Sequence, residues 1–239
     1  MLDPRLRDSI EAYLRACEWA ESEDLQRLLA PDVQTFDGHR GRWHEGIAAH
    51  QAALRAQAEE RPGLQFRLLH TYGQGPEVVA KVSLGPEEGL WAFRFREDGL
   101  LERITALHES KGKDLAPGCD EAIEAYFRTY NEDREDEHMA LLNPDLVYFG
   151  SVSRLTAVGL PTARGIFRGA RDIMGVHRIR RTRTFGQGRD AGVLIRLAKA
   201  DPKAEEAEGA LIFHFDKHAK VARLSVMWNP EGFLTRPKT

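Results

Sequence analysis

Apolar residues recur along the chain with two alternating periods. Ile10, Tyr13, Leu14 and Cys17 fall at helical spacing on one face. Leu25, Leu28 and Leu29 continue a second, short helix, Pro31-Asp32 stops it, and Val33–Phe36 predicts a strand. The alanine-rich stretch Gly46–Ala58 predicts a third helix. After Arg61-Pro62-Gly63 the period becomes two. LQFRLLHTY, EVVAKVSL, LWAFRFRE and LERITALH predict four strands, with turns at GQG, GPEEG and EDG. Helices followed by an antiparallel meander predict an α+β domain with helices on one face of a sheet.

The same order then repeats. IEAYLRACEWAESEDLQRLLAPDVQTF (10–36) aligns without a gap to IEAYFRTYNEDREDEHMALLNPDLVYF (123–149), with ten identities in 27 positions. Unrelated segments of average composition would share about two. TYGQG (71–75) matches TFGQG (184–188) at the same offset of 113, and residues 89–109 match residues 209–229 at an offset of 120. Three blocks in one order indicate a duplicated domain of ordinary size. The predicted domains are residues 1–110 and 119–239, joined by a polar, Gly- and Pro-containing linker at 111–118. The copies are expected to differ by an insertion, SVSRLTAVGL, after Phe149, and by an extra AQAEERPGLQ in the first copy. The two domains are expected to pair within the chain as a pseudo-symmetric dimer, in a monomer or homodimer.

Composition narrows the function. The chain has 239 residues, 42% hydrophobic and 30% charged, enough apolar material for two cores. No apolar run is long enough to span a bilayer and no export signal opens the sequence, so a cytoplasmic protein with no membrane partner is expected. The net charge of −3 gives no general attraction for nucleic acid. The basic stretch His177–Arg189 lacks interleaved stacking aromatics and is expected to be a solvated strand. Cys17 is expected to be a buried helix residue and Cys119 a linker residue, neither reactive. His39, His44, His50 and His70 show no ligand spacing, so no metal site and no cofactor are expected.

Two helices, the LAPDV turn, a strand, a third helix and a long meander in each copy resemble the nuclear transport factor two-like superfamily. The SnoaL-like polyketide cyclases and ketosteroid isomerases are the nearest branches. The resemblance implies two tandem cone-shaped domains, each with about three helices on a curved antiparallel sheet around an apolar cavity. It places Tyr13 at the position of the family tyrosine and Asp37 at that of the general base. Trp91 stands at the second acidic position. In the second copy these positions are Tyr126, Gly150 and Leu211, so only the first keeps the acid.

Asp37 also opens an Asp-Gly turn. Facing an apolar cavity, its carboxyl is expected to titrate above the ordinary range and to act as a base. Strand alternation places Ile104, Ala106 and His108 on one inward face, and Leu224, Val226 and Trp228 on its counterpart. The expected catalytic set is Asp37, Tyr13 and His108, and the expected ligand contacts are Trp91, Phe93, Ile104, Tyr126 and Trp228. The expected activity is cofactor-free isomerase, cyclase or dehydratase chemistry on a small apolar carbonyl or epoxide compound. The alternative is a non-catalytic binding or assembly module.

Overall fold

The structure is a computed structural model that describes residues 3–19, 22–109, 114–152, 155–201, 205–229 and 233. It divides into two compact units, Leu2–Glu109 and Ser110–Thr239. In the first, α1 (Pro4–Trp19) and α2 (Ser22–Leu28) lead into β1 (Leu29–Asp37), β2 (Arg42–Glu45) and α3 (Ile47–Glu60). The strands β3 (Phe66–Tyr72), β4 (Glu77–Leu84), β5 (Glu87–Phe95) and β6 (Leu101–His108) complete it. The second unit repeats the order: α4 (Cys119–Asn131), α5 (Glu135–Ala140), β7 (Leu142–Gly150), β8 (Leu155–Val158) and α6 (Leu160–Asp172). β9 (Arg178–Gln187), β10 (Asp190–Ala198), β11 (Ala207–Phe215) and β12 (Val221–Trp228) follow. The sheets have the strand orders β2-β1-β6-β5-β4-β3 and β8-β7-β12-β11-β10-β9. The α+β class and the two tandem domains are therefore as the sequence predicts.

Two features of the sheets differ from the expectation. Each is mixed, because β1 runs parallel to β6 and β7 parallel to β12. A meander leaves its last strand at the edge, and the early strand joins there after the helical segment has reversed the chain. Each sheet also has a sixth strand, β2 or β8. At four residues these are too short for period-two patterning to reveal.

The register corrects the expected insertions. Gln34 pairs with Glu45, and Val147 with Val158, so SVSRLTAVGL is the gapless counterpart of the β1–β2 hairpin. The offset of 113 persists to Leu84 and Leu197, so AQAEERPGLQ is not extra either. The copies diverge at one turn: two residues separate β4 from β5, whereas eight separate β10 from β11.

Equivalent residues do equivalent work. A Glu18 carboxylate oxygen accepts the Phe66 backbone N–H at 2.8 Å, and the Asn131 side-chain oxygen accepts that of Ile179 at 2.8 Å. Each contact ties the end of a first helix to the start of a meander. Gly46 and Gly159 precede α3 and α6 with φ of +78° and +82°. L-residues are strained there, so Gly46→Ala is expected to cost the first domain about 1–3 kcal/mol in urea unfolding.

The cysteines are buried and free. Burial pushes the Cys17 thiol up to about 12, which keeps it unreactive. Cys119 is not in a linker. It opens α4, and the segment before it joins the second unit through the Ala116 N–H to the Gly188 carbonyl at 2.6 Å. Of the four arginines of the basic strand β9, Arg181 pairs with Asp120 and Glu124, and Arg180 with Glu206. No helix among the described residues is long and apolar enough to cross a membrane.

Candidate functional site

A cavity lies between the helices and the sheet of the first domain, with an empty volume of about 430 Å³ that includes space open to solvent. Periodicity explains who lines it. Along β1, Thr35 and Asp37 share a face. Along β6, Ile104, Ala106 and His108 do the same. Along α3, His50, Ala53, Leu54 and Gln57 form a stripe at i, i+3, i+4 and i+7. Tyr13 comes from α1, His44 from β2 and Trp91 from β5, where it stands opposite Ala106.

Burial keeps this site uncharged apart from Asp37. The Tyr13 hydroxyl and His50 Nε2 are 2.9 Å apart, with the rings stacked at 5.8 Å. Burial raises the Tyr13 phenol well above its ordinary value. Burial, then the nearby His44, lowers His50 to about 4. Both are neutral near pH 7 and share one hydrogen bond. His108 is lowered to about 3, first by burial and then by His39, whose ring stacks on it at 3.6 Å.

Asp37 is not the desolvated carboxyl expected from the sequence. Its Oδ1 accepts the backbone N–H groups of His39 (2.9 Å) and Arg40 (3.2 Å), and its Oδ2 accepts Arg40 Nη1 at 3.0 Å. Burial alone would push the carboxyl up. The Arg40 side chain, the two backbone donors and the Arg40 charge outweigh it, and the group titrates below the ordinary carboxylate value. Asp37 is thus an ionised turn residue at the cavity wall.

Six buried side-chain nitrogen or oxygen atoms have no hydrogen-bond partner among the described residues, and four belong to this cavity. They are Thr35 Oγ1, His44 Nε2, Trp91 Nε1 and His108 Nδ1. Each such atom costs about 1–3 kcal/mol if left unpaired. Four together would rival the whole stability of an ordinary domain, about 5–15 kcal/mol. A polar guest in the cavity, water included, would relieve that cost.

A cation-binding arrangement is also present at the rim. His39, Glu87 and His108 bring ligand atoms within 4.8 Å of one another, a grouping over long sequence separations that short-motif spacing does not reveal. Arg61 Nη1 already contacts His39 Nε2 at 2.8 Å and Glu87 at 3.2 Å, so a guanidinium occupies that position.

The second domain has a corresponding cavity, about 650 Å³ by the same measure. Tyr126, Tyr148, Ala163, Leu211 and Trp228 line it at the positions of Tyr13, Thr35, His50, Trp91 and His108. Of the residues expected from the sequence, Asp37, Tyr13, His108, Trp91 and Ile104 line the first cavity. Tyr126 and Trp228 line the second. Phe93 lines neither: it is fully buried behind Tyr13 and Trp91. Thr35, His44, His50 and Gln57 also line the cavity, and the alanine-rich α3, whose inward stripe is half polar, carries too weak an apolar periodicity to single out His50 and Gln57.

No family model matches the chain, and no curated protein matches it. Solved structures do. An NTF2-like protein of unknown function from Cytophaga hutchinsonii is 11% identical, with TM-score 0.41, over 49% of this chain and 95% of that one. A candidate ketosteroid isomerase from Kribbella flavida is 20% identical, with TM-score 0.39, over 50% and 89%. A candidate isomerase of the SnoaL-like family from Agrobacterium tumefaciens is 16% identical, with TM-score 0.39, over 45% and 100%. The chain is similar in structure to NTF2-like, SnoaL-like and ketosteroid isomerase-like proteins, each of which spans about half of it.

Proposed function

We propose that the first domain binds a compact, uncharged molecule carrying carbonyl or hydroxyl oxygen, held by hydrogen bonds from neutral side chains. The supporting observation is the group of four buried polar atoms without partners around one cavity. Trp91 Nε1–H can only donate, whereas Thr35 Oγ1 and the two imidazoles can donate or accept. A carbonyl or hydroxyl oxygen beside an apolar skeleton meets both needs. Ile104, Ala106 and Leu54 supply the apolar wall.

Binding rather than Asp37 base catalysis is the primary role in this proposal. A carboxylate held below its ordinary pKa by Arg40 has a weakened affinity for the proton it would have to abstract. A second possibility keeps the chemistry, because Asp37 lines the same cavity as the donors. Ligand entry would displace Arg40 and restore the carboxylate's basicity, giving isomerase, cyclase or dehydratase chemistry.

An NMR screen of small ketones, alcohols and carboxylic acids tests the binding role. Ketones or alcohols are expected to bind, and Thr35→Val, Trp91→Phe and His108→Phe should each weaken them by about tenfold, one hydrogen bond's worth. Binders indifferent to all three changes, or none at millimolar concentration, would reject it. Asp37→Asn separates the two possibilities. Unchanged affinity without detectable turnover in the parent protein fits a binding site, and turnover lost on Asp37→Asn fits base catalysis.

A further inference from the structure

We infer that the second domain binds a neutral, predominantly apolar molecule bearing a single hydroxyl or ketone group, in the cavity beneath α6. This rests on the reading of the chain as a small-molecule-binding protein, but not on the ligand of the first domain.

The inference follows from comparing equivalent positions. Where the first cavity has His50, Gln57 and His108, the second has Ala163, Ala170 and Trp228. Two polar side chains become methyl groups, and an imidazole becomes an indole. By the same measure, which includes space open to solvent, the cavity grows from about 430 to about 650 Å³. None of its lining residues is Asp, Glu, Lys or Arg. An anion or cation entering it would lose hydration without gaining a partner.

The polar groups that remain are few and mostly engaged. The Tyr130 hydroxyl donates to the Val176 carbonyl at 2.8 Å, and His138 Nδ1 is 3.0 Å from Thr129 Oγ1. The hydroxyls of Tyr126 and Tyr148 form no hydrogen bond among the described residues, yet both side chains line the cavity. Two phenols on an otherwise apolar wall match one ligand oxygen. Water against the apolar part of this wall gains few hydrogen bonds there. A hydrocarbon skeleton would displace that water and pack against the wall.

The test uses the full chain and N-phenyl-1-naphthylamine, an uncharged probe that fluoresces when shielded from water. Saturable binding is expected, with displacement by naphthalene, more strongly by 2-naphthol, and at least about tenfold less well by 2-naphthoate. Ala163→Phe and Ala170→Leu fill the cavity and should each weaken the probe by at least about tenfold, with circular dichroism confirming the fold. Tyr148→Phe, which keeps the shape, should lower the affinity for 2-naphthol towards that of naphthalene. The inference is overturned by a lack of saturable binding, by probe affinity indifferent to both filling variants, or by 2-naphthoate competing as well as 2-naphthol. The first domain's ligand answers to Thr35, Trp91 and His108 instead, so either proposal can fail alone.

Discussion

Lowering the pH from 7.5 to 5.0 is expected to destabilise the first domain by about 4 kcal/mol and the second by about half as much. Burial depresses His50 to about 4, His108 to about 3 and His138 to about 4. In the unfolded chain each titrates near its ordinary value of about 6.5. The unfolded state therefore takes up protons below that value while the folded state does not, and stability falls as the pH drops. At pH 5.0 the loss is about 2 kcal/mol per histidine, set almost wholly by the unfolded value because the folded ones lie lower still. The first domain carries two such residues and the second one. His39 and His44, also lowered by burial, add in the same direction. Asp37 does not oppose them in this range: its depressed pKa gives stability that is lost only below the ordinary carboxylate value of about 3.8. Urea unfolding followed by tryptophan fluorescence weights the first domain, which holds Trp19, Trp43 and Trp91 against Trp228. His108→Phe should remove about half of that domain's pH dependence. A midpoint that does not move between the two pH values would show that these imidazoles ionise inside the fold.

Phe93→Ala is expected to cost the first domain about 3–5 kcal/mol, the usual loss for a large aromatic deleted from a core. Phe93 is 1% exposed, with Tyr13 and Trp91 at ring distances of 5.8 and 6.2 Å. The void would open behind the two aromatic walls of the cavity, and neighbours anchored on separate elements cannot close it fully. For a domain of this length the melting temperature should fall by upwards of about 12 °C. Trp91→Phe should cost far less, because it also removes an unpartnered buried N–H. Calorimetry on the two variants therefore separates core from cavity wall: a small loss at Phe93 would contradict its assignment to the core.

That contrast shows where sequence patterning stops. Alternation along β5 places Trp91 and Phe93 on one face and cannot tell which is the wall and which lies behind it. The difference is a matter of depth, fixed by Tyr13 arriving from α1. Histidines show the same limit from the other side. His50 sits in a regular α3 stripe, but its partner Tyr13 is 37 residues away, and no short spacing links them. Arg40 is a different case. It lies three residues beyond Asp37 on the same turn, and an Asp-Gly turn followed by arginine already held the clue that this carboxylate is paired.

By itself the sequence determined the duplication, the α+β class, the positions of the helices and long strands, and the inward faces of β6 and β12. These follow from local periodicity and from repetition of the same local signals at a fixed offset, so no distant contact is needed to read them. The tertiary structure decided the rest. It paired β1 with β6 in parallel, moved the difference between the copies to the β10–β11 turn, and put Phe93 behind the cavity rather than in it. It also set the protonation states, lowering His50 and His108 by burial and Asp37 through Arg40 and two backbone donors. Solvent exclusion and the geometry of a cavity depend on which elements meet, and that meeting turned two copies of one pattern into a polar pocket and an apolar one.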